Sequence, residues 1–238
     1  MKLILNIILF FIDFNHKNKI IKFFKYKFND QALTIIDVGA HVGETISLFS
    51  KNFTIKKMIC YEASKFNFNK LIKSKYHKNY NIILNNIALG SKENKLEFFQ
   101  TSESSSSTFC KIDQNSNYFK RKKNILNFFH RKEYILQSEL IEIKTLKNEF
   151  SKYDLKYIDI LKIDTEGFEF DVIKGADQSL KFVNFILFEH HYDQMIIKNY
   201  KFSEINEYLT KLNFKKIRKF KMPLRKTFEY IYINANLK

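Results

Sequence analysis

The chain has 238 residues, 45% of them hydrophobic, enough to bury one full core, and no internal repeat divides it. Its two cysteines, Cys60 and Cys110, stand far apart, which rules out a cysteine-rich metal centre and points to a reducing cytoplasm. The formal net charge of +16 raises nucleic acid or an anionic membrane as partners, but lysine carries nearly all of it. Arginine stands only at 121, 131, 218 and 225, so the excess reads as compositional bias rather than a set of phosphate-reading forks.

Residues 1–30 open on the apolar run Leu3–Ile12, too short to span a bilayer and followed by no small-residue cleavage site. A helix packed on the domain is expected there, with peripheral membrane contact as the alternative. From residue 31 onward, strand-like and helix-like stretches alternate. Strands are expected at Thr34–Ala40, Lys57–Ala63, Asn81–Ala88, Tyr157–Asp164, Val183–His190 and Tyr230–Asn234. Helices are expected after Gly43 and through Phe66–Ser74, Phe168–Lys181 and Ser203–Leu212. This order requires a parallel, doubly wound α/β sheet in a three-layer α/β/α domain. Lys95–Gln100 adds a short strand before a serine-rich, then basic and aromatic insert, Thr101–Glu133, expected to be irregular and to act as a lid or a solvated loop.

Chemistry concentrates at three strand ends. Thr34–Ala40 runs into Asp37-Val38-Gly39-Ala40-His41-Val42-Gly43, a strand stopping at a tight turn that feeds a helix. Gly39 and Gly43, with Ala40 and His41 between them, let a ligand lie against bare backbone. His41 occupies the place of the middle glycine of a dinucleotide fingerprint, which argues against NAD. An acid such as Asp37 is unhelpful beside a pyrophosphate and suits the ammonium and sulfonium of S-adenosylmethionine. Glu62, at the tip of the second strand, is placed to accept hydrogen bonds from a ribose diol. Asn86 and Ala88 close the third strand, where amide and backbone groups can read an adenine edge.

The third strand end is Lys162-Ile163-Asp164-Thr165-Glu166-Gly167. Lys162 and Asp164 share a face, and ionisable groups at the end of an otherwise apolar parallel strand call for a reason. Either they pin the turn as ion pairs or they serve a reaction. Asp164 and Glu166 are general-base candidates, Asp164 also facing the cofactor. His190 is the imidazole assigned to the site, with His191 its alternative, since only one of two neighbours on a strand faces the pocket. Glu189 is placed to orient a histidine or to accept from the substrate. No His-x-x-x-His or Cys-x-x-Cys pair occurs, so no dedicated zinc site is expected.

Several segments together carry a resemblance. They are Ile36–Gly43, Tyr61-Glu62-Ala63, Asn86-Ile87-Ala88-Leu89-Gly90, Leu161–Glu169 with Lys174-Gly175-Ala176, and Leu187-Phe188-Glu189-His190. In this order the chain resembles the FkbM family of S-adenosylmethionine-dependent methyltransferases from about Thr34 to Asn234. The resemblance implies a seven-stranded class I, Rossmann-like methyltransferase fold and methylation of a hydroxyl oxygen on a sugar, glycan or secondary metabolite. Two positions depart from the family pattern: Lys147 replaces an acid in the usual Thr-Leu-Asp, and Ala63 replaces a proline. The alternatives are an RNA or other nucleic-acid methyltransferase and an inactive cofactor-binding interaction module. Against the first, no Asp/Asn-Pro-Pro-aromatic motif occurs, Pro223 being the sole proline, so no specific nucleic acid is expected. Retention of the acidic positions argues against the second.

Overall fold

The structure, a computed structural model, describes residues 2–79, 81–102, 104–129, 135–223 and 225–237. Helix α1 (Lys2–Phe28) leads into β1 (Leu33–Val38), α2 (Glu44–Ser50), β2 (Ile55–Tyr61), α3 (Lys65–Leu71) and β3 (Ile82–Asn85). A smaller set follows: β4 (Ala88–Leu89), β5 (Asn94–Thr101), β6 (Lys111–Ile112), α4 (Asn117–Phe129), β7 (Ile135–Lys144) and α5 (Leu146–Lys152). The chain then returns through β8 (Ile158–Ile163), α6 (Glu169–Ala176), β9 (Val183–His191), β10 (Ile196–Ile197), α7 (Phe202–Lys211), β11 (Phe214–Lys221) and β12 (Thr227–Asn234).

Seven strands form the central sheet in the order β11-β12-β9-β8-β1-β2-β3. The five from β9 to β3 run parallel, and β12 runs antiparallel to both β9 and β11. This is the mostly parallel, doubly wound arrangement that the alternating elements demand. Strands β1 and β8 are buried along their whole length, as central parallel strands must be when helices cover both faces. The period of two then assigns each side chain to a layer. Ile35, Cys60, Ile160, Leu187 and Ile231 pack with Ile46 and Phe49 of α2 on one face. Ile36, Ile59, Leu161, Ile186 and Tyr232 pack with Leu146, Ile173 and Leu209 of α5, α6 and α7 on the other.

Helix α1 belongs to the first layer. Ile20, Ile21, Phe24 and Phe28 fall on one helical stripe and are buried, and the Phe24 and Phe28 rings sit 5.7 and 5.4 Å from that of Phe185 in β9. Each such side chain contributes roughly 1.5–3 kcal/mol of burial, which ties the helix to the sheet. The side chains of the Leu3–Ile12 run lie outside the described residues. Among the described residues, no helix is long and apolar enough to cross a membrane.

Four expectations differ from what is found. Asn81–Ala88 is not one strand: β3 ends at Asn85 and Ala88 begins β4 in a separate sheet of order β4-β7-β5. The Asn86 amide causes the break by donating to the Glu62 and Ala63 carbonyls at 2.8 and 3.3 Å. The helix after Phe168 ends at Ala176, because Asp177 takes a left-handed φ of 47° and only a 3-10 turn continues to Phe182. The insert is not irregular throughout, since it contains β6 and the thirteen-residue α4; its end, His130–Glu133, lies outside the described residues. Finally, β7 and β11 are strands that the patterning did not mark. β11 forms the sheet edge and carries Lys215, Lys216, Arg218, Lys219 and Lys221, charges that keep an open edge from pairing with another chain.

Candidate active site

A cavity of about 270 Å³ opens at the C-terminal ends of β1, β2, β8 and β9, where chain order reverses between β1 and β8. Ligands of open α/β sheets bind at that switch point, because loops from adjacent strands diverge there. One wall comes from Val38–His41, Glu44, Tyr61–Ala63 and Ile87–Leu89; the other from Lys162, Asp164–Glu166, Leu187, Glu189 and Glu229. Phe98 of β5 closes it together with Ser105, Ser107 and Phe109 of the segment that follows, and α1 adds His16, Lys17 and Ile20.

On the first wall, Glu62 is buried at the tip of β2. Its Oε2 accepts from the His41 backbone N–H at 2.7 Å and its Oε1 from that of Ser64 at 2.9 Å. Burial pushes its carboxyl upward while these two donors pull it down. Asn67 Nδ2 stands 3.5 Å from Oε1 as a third donor, so of a carboxylate's roughly four acceptor positions about one remains for a ligand diol. His41 turns the chain at φ 50° and holds Glu44 through Nδ1 to Oε1 at 2.9 Å. Ala40 and Ala88 line the cavity, Ala88 between Ile87 and Leu89.

Three residues expected at the ligand lie elsewhere. Asp37 is fully buried beneath the turn, outside the cavity lining, with Oδ1 3.5 Å from the Lys162 ammonium. Gly43 caps α2 at φ 99°, where an added Cβ would crowd Leu71 and Tyr76 at 3.0 and 3.1 Å, so it serves packing rather than ligand approach. Asn86 spends its amide on the β2 strand end and does not line the cavity. Gly39 does line it, yet its missing side chain has a further cause. At φ 87° a Cβ would meet the Asp164 carbonyl oxygen at 1.9 Å, so the β1 and β8 turns close only over glycine.

The second wall gathers charge on the α1 face of the sheet. Lys162 bridges Asp37 and Asp164, the latter at 3.3 Å, and these carboxylates overcome burial to hold its ammonium protonated. Glu166 follows in a left-handed turn at φ 50°. His191 Nε2 lies 3.1 Å from Glu189 and 3.3 Å from Glu166, with Nδ1 3.3 Å from Asp193. Burial lowers the His191 pKa, but the surrounding carboxylates outweigh it and push it well above the usual imidazole value. Above them, His16 of α1 pairs with Glu229 of β12.

His190, the imidazole assigned from sequence, points the other way. It shares the face of Ile186 and Phe188, where its ring meets Tyr192, Phe202 and Tyr200 at 4.8, 5.6 and 5.9 Å. Burial, with Lys198 and His191 nearby, lowers its pKa to about 3, leaving it a neutral member of an aromatic cluster. The period of two puts His191, not His190, beside Glu189.

Glu169 is a positioning residue that patterning alone did not single out. Fully buried, it accepts from the Thr165 and Gly167 backbone N–H groups at 3.2 and 2.9 Å and from Tyr200 Oη at 2.7 Å. The insert pins the same loop: Thr108 Oγ1 donates to the Glu166 carbonyl at 2.7 Å. Its signal was an acid at the start of a helix that is otherwise apolar on its inner face. Contributions from α1, β12 and the serines had no local signal, because distant packing brings them in. Lys147, by contrast, sits exposed on α5 and pairs with Asp177 at 3.1 Å, away from the cavity, so its departure from the family pattern leaves the site intact.

The sequence model described as the methyltransferase FkbM domain matches residues 37–216. No curated protein matches the chain. Among solved structures, magnesium protoporphyrin IX methyltransferase from Synechocystis PCC 6803, solved with bound SAM, has a TM-score of 0.51 at 8% identity, covering 92% of this chain and 78% of its own. A protein of the NADB-Rossmann superfamily from Streptococcus agalactiae also has a TM-score of 0.51, at 10% identity, covering 94% of this chain and 69% of its own. At these identities the likeness is one of fold.

Proposed function

This chain belongs to the FkbM methyltransferase family, and from that premise we propose that it transfers a methyl group from S-adenosylmethionine to a hydroxyl oxygen of a small-molecule or glycan acceptor. The observation that carries the reading is the cavity at the switch point, with Glu62 in one wall and Asp164, Glu166 and Glu189 in the other. The residues fit the cofactor. Glu62 retains acceptor capacity for a ribose hydroxyl. Ala63, Ile87 and Ala88, with Phe98 and Phe109 whose rings lie 4.9 Å apart, offer an apolar slot for a purine. Glu44, Asp164, Glu189 and Glu229 make the remaining surface predominantly acidic, which favours a ligand carrying a sulfonium and an ammonium.

When bound, S-adenosylmethionine supplies an electrophilic methyl carbon on a cationic sulfur. The protein's share is to hold the acceptor oxygen in line with that carbon, which can lower the barrier by roughly 7–11 kcal/mol, and to exclude water. Asp164, whose carboxylate lines the cavity, would take the acceptor's hydroxyl proton at Oδ. Lys162 orients Asp164 from below, and Glu169 fixes the loop between them and α6. Gly39, Ala40 and His41, which line the cavity, would hold the methionine half against their backbone.

Calorimetry with S-adenosylmethionine, its demethylated product and NAD tests the cofactor: the first two bind, and binding of NAD alone would overturn the reading. Mass spectrometry of glycans and small metabolites from cells with and without the gene tests the acceptor, through loss of a methylene increment of about 14 daltons. If that increment is lost from RNA instead, the small-molecule or glycan acceptor is wrong.

A further inference from the structure

The ends of β8 and β9 hold an arrangement to which the methyl-transfer reading assigns no proton or methyl transfer. Glu166 comes from the turn after β8, and Glu189 and His191 lie two apart on one face of β9. One donor atom from each, the His191 imidazole nitrogen and a carboxylate oxygen from either glutamate, falls within 4.8 Å of the other two. His191 Nε2 is 3.1 Å from Glu189 Oε1 and 3.3 Å from Glu166 Oε2. Donors held at about 2.0–2.2 Å from a shared metal ion stand roughly 3–3.5 Å from each other, so these spacings already match a coordination edge.

The imidazole supplies the second observation. His191 is only 7% exposed, and its Nε2 meets neither carboxylate with hydrogen-bonding geometry, although it faces both. The opposite nitrogen is held: Nδ1 lies 3.3 Å from Asp193 Oδ2 and 3.2 Å from Thr227 Oγ1. Asp193 is itself fixed by the Met195 backbone N–H at 3.0 Å. A carboxylate behind one ring nitrogen is how metal-ligating histidines are oriented, since it fixes the tautomer and aims the other nitrogen at the ion.

We propose that Glu166, Glu189 and His191 bind a divalent cation of the Mn²⁺ or Zn²⁺ kind, whose remaining coordination positions face the cavity and take an oxygen of the acceptor. The cation site stands on this geometry alone; the acceptor's place on it rests on the methyl-transfer reading. Two carboxylates and one imidazole suit those ions, and three protein donors leave positions open, as in catalytic rather than structural sites. Glu166 and Glu189 both line the cavity, which puts the open side toward the substrate. The donors lie on two strand ends and follow no local ligand spacing, which is why a motif search passes over them.

The test uses the full chain, stripped of metal with chelator. Mn²⁺ titration followed by electron paramagnetic resonance and calorimetry should show one ion per chain with a Kd below about 100 μM and a rise in melting temperature. Glu166→Gln, which keeps size and shape, and His191→Gln should each weaken that binding by about tenfold or more. S-adenosylmethionine binding, measured on the same samples, should persist in His191→Gln, whose side chain does not line the cavity. Absence of saturable Mn²⁺ or Zn²⁺ binding to the wild-type chain, or binding unchanged in both variants, overturns the site and leaves a protonated His191 as the partner of the two glutamates. Absence of S-adenosylmethionine binding to the wild-type chain, with Mn²⁺ binding retained, would instead sink the methyl-transfer reading and keep the cation site.

Discussion

The two walls of the cavity use acidic side chains in opposite ways. On the β1–β2 wall, Glu62 is tied to the protein's own backbone through the His41 and Ser64 N–H groups. Its negative charge is stabilised in place, and what it offers a ligand is hydrogen bonding in a fixed direction. On the β8–β9 wall, Lys162 stands between Asp37 and Asp164, and His191 stands among Glu166, Glu189 and Asp193. There acids outnumber bases, and the surplus is left facing the cavity. A wall of the first kind recognises; a wall of the second kind handles charge and protons, because a group with a spare negative charge in a desolvated site draws a cation or a proton.

Asp164→Asn tests the second wall most severely. In the wild-type chain Lys162 has two carboxylate partners, so the variant still leaves it paired with Asp37. Folding should survive, with a melting temperature close to wild type. Methyl transfer to the acceptor should fall about 10²–10⁴-fold, the usual share of a general base. Single-turnover rate and melting temperature measured on one sample decide it: a normal rate would remove Asp164 from the reaction.

Next in size is Gly39→Ala, placed where the two walls touch. The added Cβ would overlap the Asp164 carbonyl, and alanine is strained at φ 87°, so the β1 and β8 turns must separate. A stability loss of about 2–4 kcal/mol is expected from denaturant unfolding. If the variant is as stable as wild type, the two turns are not in the contact described.

Glu62→Ala addresses the first wall alone. It should weaken S-adenosylmethionine binding by roughly 1.5–3 kcal/mol, the scale for hydrogen bonds to a charged group, while the Mn²⁺ affinity of the other wall stays as it was. Calorimetry with each ligand reads both numbers, and equal losses in the two would mean that the walls are not separable.

The same contrast explains what could be read from the sequence. The first wall is local: strand, turn and helix N-terminus follow one another within Thr34–Thr45, and Glu62 ends the next apolar run. The parallel order was equally legible, since β1, β8 and β9 are continuous apolar runs and their ends carry the ionisable residues. What escaped depends on distant packing or on mixed patterns. His190 and His191 differ only by strand phase, and a shift of one residue sends the ring to an aromatic cluster instead of the site. Asp37 reads as a ligand acid, yet Lys162, from a strand that follows more than a hundred residues later, takes it for a buried pair. β11 hides its alternation beneath five basic residues, and β7 leaves Leu140 exposed on what should be its polar side. His16 and Lys17 reach the cavity only because α1 docks on β9.

The smallest expected effect concerns His41 and Glu44 at the mouth of the first wall. Burial lowers the His41 pKa, but its hydrogen bond and charge contact with Glu44 outweigh this, so the folded-state value lies above the usual 6.5. A histidine whose pKa rises on folding contributes stability that is fully present below 6.5 and is lost as pH climbs through the folded value. The wild-type chain should therefore lose stability relative to Glu44→Gln as pH climbs above 6.5, where the glutamine variant lacks the charged partner. The Glu44 side chain is half exposed, at 49%, so solvent screening keeps the difference to about 0.3–1 kcal/mol, and added salt should shrink it. Denaturation midpoints for both proteins across that range measure it. A gap between the two curves that does not change with pH would mean that His41 stays neutral at the cavity mouth and that the first wall carries no titrating charge of its own.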